Sequence, residues 1–375
     1  MRIGIDARMY GKQSRGIGRY VEELIKNLEQ VDSENEYYIF LHSSNFNEYK
    51  PKKKNFNKIL ADFKRYSFAE QIFYPKLLKK YPLDLMHFPH FNVPLFYNRP
   101  FIVTIHDLII IRATQKKATT LGPLFYRIKK IGYHLVINHA VAKAKKIIAV
   151  SKFTKNDILD FFKIPEHKVA VIYNGLSTFY DKNLNDKEII LGYNIIKPYL
   201  LYVGSAYPHK NLEFLLSAFA EISQEKDWDL VLCGQTDFFY KRLKNYAQKL
   251  NIADRVHFLG YVPDENLPSL YKNCLAYVFP SRYEGFGLPA LEAMQYDALV
   301  ISSKSSCLPE ILGNAALYFD PKDKDELKRK IYIANKDQNL RKIFIQNDKK
   351  RTALFDWRKC SIETKAFYIN YNAPK

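Results

Sequence analysis

A chain of 375 residues, 47% of them hydrophobic, is longer than a single core usually organises, so two globular domains are expected. Its 58 Lys and Arg outnumber 39 Asp and Glu, and the net charge of +19 reflects either a polyanionic partner (nucleic acid, anionic lipid or a phosphate-bearing substrate) or a Lys-rich solvated surface. Four widely spaced cysteines, Cys233, Cys274, Cys307 and Cys360, support neither a zinc site nor a disulfide framework and fit a reducing, cytosolic compartment.

In chain order, Arg2 to Ala7 reads as a buried strand, followed by a loop carrying "SRGIGRY" and an amphipathic helix through "YVEELIKNLEQ". Short apolar runs follow at "YYIFLH", "LDLMHF", "FIVTIHD", "KIIAVS" and "VAVIYN", with helical patterns between several of them. Such alternation predicts a parallel, doubly wound sheet. The longest apolar run, "FIVTIHDLIII", is broken by His106 and Asp107 and falls short of the about 18 residues of a spanning helix. The N-terminus lacks the apolar core of a signal peptide, so any membrane contact is expected to be peripheral.

From "KPYLLYVGS" the pattern restarts, with strands at "YLLYVG", "WDLVLCG", "RVHFLG", "LAYVFP", "ALVISS" and "ALYFD". The intervening "NGLSTFYDKNLNDKEIILGYNIIK" reads as a linker, part of it structured against the second domain. The expected division is therefore 1–180 and 181–358, two Rossmann-like domains. Residues 359–375, aromatic at roughly helical spacing, form a closing helix expected to pack back on the first domain.

The most informative segment is "AYVFPSRYEGFGLPALEAM", in which a buried strand ends at Pro280, a turn contains Gly285 and Gly287, and Pro289 opens a helix. Glycines allow close backbone approach, and exposed N–H groups at a helix start bind anions, so a phosphate belongs there. Glu284 and Glu292 frame the same crevice. Carboxylates are poor phosphate ligands but good acceptors for sugar hydroxyls, which points to a nucleotide sugar.

Polar residues elsewhere also sit where open α/β sheets bind ligands. His106 and Asp107 follow a strand at its carboxyl end, and Asp107 either orients His106 or meets a substrate. His90 and Asn92 in "FPHFNVP" either line an acceptor pocket or belong to a structural turn. Gly16 and Gly18 allow the first loop to close over a diphosphate or an acceptor, with Arg19 at the following helix start. Ser151 is placed to cap a helix, with Lys152 beside it.

These segments resemble the retaining glycosyltransferases of family 4. "PSRYEGFGLPALEAM" matches their E-x7-E signature, and "SSKSSCLPEILGNAALYFDP" looks like the segment that follows it in mannosyltransferase-like and rhamnosyltransferase-like enzymes of bacterial surface-polysaccharide synthesis. "GIDARMYGKQSRGIGRYVEEL" is similar to their N-terminal Gly loop. The match runs nearly end to end and is weakest from about residue 40 to 80.

The resemblance implies a GT-B fold, two Rossmann-like domains with parallel sheets facing across a cleft. It implies that Glu284 meets donor-sugar hydroxyls and Glu292 the ribose, while the amides of Gly285, Phe286, Gly287 and Leu288 meet sugar and diphosphate. Lys210 in "YVGSAYPHKNLEFLL" matches the diphosphate-binding Lys, and His106 matches a His near the reacting sugar. Two positions depart from the pattern. Ser205 stands where many relatives carry Arg, and His209 stands in place of the Arg of a Pro-Arg-Lys-Asn run, so the positive clamp rests more heavily on Lys210, with His209 as a pH-sensitive helper and leaving-group stabilisation either weaker or supplied by Arg19 or Arg282.

The implied reaction moves a hexose from a nucleoside diphosphate (NDP) sugar, GDP-mannose-like, to a hydroxyl of a glycan or polyprenyl-diphosphate-linked acceptor, with retention. No metal site is read from the sequence, so no cofactor or metal is expected. The basic, aromatic "FAEQIFYPKLLKK" and "PLFYRIKKIGYHLVINHAVAKAKK" suit a cytoplasmic enzyme touching anionic lipid at the inner membrane. Alternative readings are a GT-B sugar-nucleotide epimerase or phosphorylase, or a basic nucleic-acid-binding protein, although no recognition-helix, RNP-like or zinc-finger pattern accompanies the charge.

Overall fold

The computed structural model describes residues 1–11, 14–112, 123–178 and 185–371. The chain divides into two compact units, Met1–Leu108, Thr119–Gly175 and Phe355–Lys375 in the first, Ile109–Ala118 and Leu176–Leu354 in the second. The divisions fall a few residues ahead of the expected 180 and 358.

The first unit is built on strands β1 (Arg2–Asp6), β2 (Glu36–Leu41), β3 (Phe56–Leu60), β4 (Leu85–Phe88), β5 (Phe101–Ile105), β6 (Lys146–Ala149) and β7 (Val169–Val171). They pair in parallel in the order β3-β2-β1-β4-β5-β6-β7. Every residue of β4 and β5 is buried, and a strand covered on both faces reads as an unbroken apolar run. The sequence pattern misses β3. Its residues "FNKIL" include Asn and Lys, and as an edge strand it buries fully only Phe56. Strands after β1 extend the sheet one way and strands after β4 the other. The order therefore reverses between β1 and β4, where Ile3 lies opposite Leu85.

Helices α1 (Arg15–Val31), α2 (Phe68–Lys79), α3 (Ile109–Arg112), α4 (Pro123–Lys143) and α5 (Lys152–Phe162) follow in the first half of the chain. The expected loop ahead of the first helix is corrected by α1. The helix already begins at Arg15, so Gly16, Gly18 and Arg19 lie within its opening turns. Glycine normally weakens a helix, but a Cβ on Gly18 would lie 2.0 Å from the Gly11 carbonyl oxygen and 2.8 Å from that of Met9. Glycine thus lets α1 rest directly on the preceding backbone. Its apolar stripe of Tyr20, Val21, Leu24, Ile25 and Leu28 is fully buried and offsets the lower helix propensity. Among the described residues, nothing lies within 4 Å of a Cβ placed on Gly16. Ser151 caps α5 as expected, accepting from the Thr154 amide at 3.0 Å.

The second unit holds α6 (Asp186–Gly192), β8 (Tyr199–Val203), α7 (Leu212–Glu225), β9 (Asp229–Cys233), α8 (Phe238–Lys249), β10 (Val256–Gly260), α9 (Leu267–Asn273), β11 (Ala276–Phe279), α10 (Leu288–Gln295), β12 (Val300–Ser303), α11 (Leu308–Leu312), β13 (Ala316–Phe319), α12 (Lys324–Lys336) and α13 (Gln338–Thr352). Its six parallel strands run β10-β9-β8-β11-β12-β13, so the order reverses between β8 and β11. Helix α6 shows that part of the expected linker is structured. Its Asp186 accepts hydrogen bonds from Ser269 and Lys272 of α9, at 2.7 and 2.8 Å.

The closing helix α14 (Trp357–Ile369) belongs to the first unit and packs against α1. Trp357, Cys360 and Tyr368 join Tyr20, Leu24 and Leu28 in one buried cluster. Gly175 is pressed against this helix, since a Cβ there would lie 2.2 Å from the Trp357 nitrogen. Among the described residues, no helix is long and apolar enough to cross a membrane.

Candidate active site

In open α/β sheets, ligands collect at the carboxyl ends of strands where the strand order reverses. In the second unit that place lies between β8 and β11, and it explains a contact that the sequence does not announce. The chain leaving β8 forms a short 3-10 turn, Pro208–Lys210, and the chain leaving β11 carries Glu284. Because β8 and β11 are paired neighbours, the two loops meet. Lys210 Nζ donates to Glu284 Oε1 at 2.6 Å, and both side chains are largely out of water. The Arg282 amide donates to the His209 carbonyl at 2.8 Å, and the Glu284 amide to Ser306 Oγ at 2.9 Å, so backbone as well as side chains fixes the pair.

Beyond Glu284, Gly287 takes φ +96° as it opens α10, a left-handed conformation suited to glycine. A Cβ there would also approach Leu308 to 2.9 Å. Helix α10 starts at Leu288 with Pro289 in its first turn, and Glu292 lies further along it, buried. Gly285 and Phe286 are buried in the connecting loop. Burial, reinforced by the Lys210 charge and opposed by Glu284, pushes the His209 pKa down to about 4. At neutral pH His209 is therefore uncharged, and the expected pH-sensitive helper adds no positive charge beside Lys210. Ser205 enters through its backbone, its carbonyl accepting from the Tyr202 hydroxyl at 2.8 Å. Beside the same turn, between α7 and α8, lies a cavity of about 320 Å³ with Tyr207, Arg242, Tyr246 and Arg282 on its walls.

In the first unit, His106 and Asp107 directly follow β5. His106 Nε2 lies 2.8 Å from the Pro89 carbonyl oxygen, so Nε2 carries the hydrogen and Nδ1 is the accepting nitrogen. Burial pushes the His106 pKa down to about 4, so the neutral ring persists at neutral pH. The Tyr20 ring meets His106 edge-on at 4.8 Å, and the Tyr20 hydroxyl lies 3.2 Å from Thr104 Oγ1. Thr104 in turn contacts His87, and His87 the Tyr368 hydroxyl, at 2.8 and 2.7 Å. The sheet, α1 and α14 together hold the surroundings of His106.

A second polar group in this unit escapes the sequence reading. Asp6 ends β1, and Arg8 two residues later grips it with Nε to Oδ1 at 2.8 Å and Nη2 to Oδ2 at 2.7 Å. Arg8 Nη2 also pairs with Glu70 Oε1 at 2.7 Å, and its guanidinium lies over the Tyr74 ring. Glu70 is fully buried, accepting from the Tyr66 amide and, at 2.7 Å, from Asn92 Nδ2. The Asn92 amide points to His90 Nδ1 at 3.3 Å. His90 and Asn92 were singled out from "FPHFNVP". The signal overlooked was a second set of polar residues at a strand end, the "DAR" that closes β1. Among the described residues, no group of three or more His, Cys, Asp or Glu side chains is arranged to hold a metal ion.

Two parallel doubly wound sheets, one bearing a cation–carboxylate pair beside a glycine-opened helix, are compatible with a nucleotide-sugar transferase, and comparison with known proteins gives that class. The family model described as Glycosyltransferase Family 4 matches residues 14–178, and that described as Glycosyl transferases group 1 matches residues 189–351. The chain belongs to the family 4 glycosyltransferases. It is 29% identical over 370 residues to the O-antigen chain mannosyltransferase B of Escherichia coli, covering 93% of this chain and 94% of that one. It is 31% identical over 244 residues to the O-antigen chain mannosyltransferase RfbU of Salmonella typhimurium, covering 62% and 60%. Sucrose-phosphate synthase from Thermosynechococcus elongatus superposes with a TM-score of 0.77 at 21% identity, covering 99% and 98%. Anabaena HepE in complex with UDP and glucose gives 0.75 at 16%, covering 98% and 99%. The fold is GT-B, and the protein is a glycosyltransferase.

Proposed function

We propose that the enzyme transfers a hexose from an NDP-sugar, GDP-mannose being the favoured donor, to a hydroxyl of a lipid-linked or other glycan, with retention and without a metal ion. The observation that carries this reading is the buried Lys210–Glu284 pair beside the helix start at Gly287. An arriving diphosphate competes for the Lys210 ammonium. As Nζ turns to the phosphate oxygens, Glu284 is left to accept hydrogen bonds from hexose hydroxyls. The loop amides and the α10 dipole stabilise the charge that develops on the departing diphosphate. Glu292 takes the ribose hydroxyls. The acceptor attacks from the side the diphosphate leaves, and the leaving oxygen receives its proton. His106, neutral, offers Nδ1 to a sugar hydroxyl. The preference for mannose rests on the names of the O-antigen relatives.

A thermal-shift series with GDP, UDP, dTDP and their sugars tests the donor. A nucleotide at a hundred times its Kd stabilises the native state by about 2.7 kcal/mol, and GDP is expected to do so. The anomeric coupling of the isolated product then reports retention. If none of the nucleotides stabilises the protein and none of the sugars is consumed, the reading fails.

The acceptor is placed on the cytoplasmic face of the inner membrane, reached by peripheral contact of the first unit. Supporting this, α2 leaves Phe68 90% exposed together with Ile72 and Phe73, and carries Lys76 and Lys79 at its end. Helix α4 exposes Ile131 and Leu135. Apolar rings beside lysines suit an anionic interface. Vesicles containing anionic lipid should sediment the protein at low salt, and Phe68→Ser with Phe73→Ser should abolish this. Equal binding to neutral vesicles at any salt would sink the proposal.

A further inference from the structure

The strand order of the first unit reverses between β1 and β4, and a small cavity of about 10 Å³ lies at their carboxyl ends. Its lining includes Asp6, Arg8, Ile17, Arg65, His90 and Asn92. Such a volume holds one water-sized group. Asn92 is only 5% exposed, and its Oδ1 has no hydrogen-bond partner among the described residues. The orientation of that amide is fixed, because Glu70 Oε1 accepts from its nitrogen and a carboxylate cannot donate to its oxygen. A buried acceptor left without a donor costs roughly 1–3 kcal/mol, so its partner is sought outside the protein.

The available functions specify what that partner is. Asn92 Oδ1 accepts only. The Asp6 carboxylate also accepts, and although Arg8 and Arg65 stand on the walls, a cavity of one water's volume is too small for a phosphate. His90 accepts from the Asn92 backbone N–H at Nδ1, which makes Nε2–H a donor. A group that both donates and accepts, is uncharged and fills one water's volume is a hydroxyl, that of a water molecule or, once a ligand displaces the water, that of an alcohol. Arg8, held by Asp6 and Glu70 and stacked on Tyr74, locks the walls before a ligand arrives.

We propose that this cavity is a subsite for one hydroxyl or hydroxymethyl group of the acceptor sugar, read by the amide oxygen of Asn92 and held in shape by the Asp6–Arg8–Glu70 cluster. The proposal rests on the glycosyltransferase reading and extends it to how the acceptor is chosen. A sugar with that hydroxyl missing or inverted leaves Asn92 unsatisfied and is rejected, as sites built around a buried polar group reject analogues that cannot pair with it.

The test is saturation-transfer NMR on the full chain with methyl α-mannoside, α-glucoside and α-galactoside and their monodeoxy derivatives. One monodeoxy glycoside is expected to bind the wild type about tenfold more weakly than its parent. That penalty should vanish in Asn92→Leu and in Ile17→Phe, which fills the cavity from α1 and leaves Asp6, Arg8 and Glu70 themselves unsubstituted. Stabilisation by the nucleotide, a property of the second unit, should persist in both. If Asn92→Leu does not fold, the Ile17→Phe comparison decides. No binding of any glycoside to the wild type, or a deoxy penalty unchanged by the substitutions, overturns the subsite. Absence of both NDP-sugar consumption and nucleotide stabilisation in the wild type instead overturns the glycosyltransferase reading.

Discussion

Removing the Lys210 ammonium leaves the Glu284 carboxylate in a site that excludes most water. Lys210→Ala is therefore expected to cost roughly 3–5 kcal/mol in unfolding free energy, measured by urea titration, and to lower turnover by roughly 10²–10³-fold. Adding Glu284→Leu should restore much of the stability and none of the turnover. A single-variant cost below about 1 kcal/mol would show that the pair does not brace the site. Asp348 on α13 is the opposite case, a carboxyl whose two oxygens are buried without a hydrogen-bond partner among the described residues. Burial, with Asp297 nearby, pushes its pKa up to about 8. The folded chain then holds a proton that the unfolded chain releases, so this group erodes stability as pH rises from about 4 toward 8. Asp348→Asn should stabilise the protein by on the order of 5 kcal/mol at pH 8 and little at pH 4, read from melting curves. At this scale the sequence was informative about identity and mute about pairing. It singled out Lys210 and Glu284 separately, but no pattern joins residues 74 apart in the chain. It missed Asp6, Arg8 and Glu70 because an isolated charge near a strand end resembles ordinary surface until its partners are placed around it.

At the scale of elements, the strand–helix alternation was readable wherever strands are buried on both faces, and failed at β3, where half-exposed edge residues blur the period. The opening of α1 was misread for a different reason. Glycine suggests a loop by its conformational freedom, whereas Gly18 is there for the absence of its side chain. Helix α14 also carries a pH dependence. His87, fully buried, contacts the Tyr368 hydroxyl through Nδ1 and Thr104 through Nε2. Burial, with His106 adding to it, pushes the His87 pKa down to about 3. The stability it contributes is complete above the unfolded value of about 6.5 and is lost as pH falls toward 3. Between pH 6.5 and 4.5 the loss should be roughly 2.3 kcal/mol, and His87→Gln should flatten that slope in denaturant titrations. An unchanged slope would remove His87 from the account.

For the whole molecule, two doubly wound sheets were foreseeable from the restart of the pattern at "KPYLLYVGS", and both strand-order reversals carry polar residues that the other carboxyl-end loops do not explain. The first unit is not contiguous in the chain, since residues 355–371 complete a core begun by residues 3–41. A chain ending at residue 354 should keep a protease-resistant second unit while the first is digested, and adding residues 355–371 as a separate peptide should restore some protection. Resistance of both units in the truncated chain would contradict this.

That arrangement also sets an order of events during synthesis. The second unit emerges from the ribosome with all its strands in hand and can fold at once. The first-made strands must wait, their α1 face uncovered, until α14 clears the exit tunnel. The amino-terminal half of this enzyme is thus the last part to mature, and it is the half most in need of a chaperone's cover.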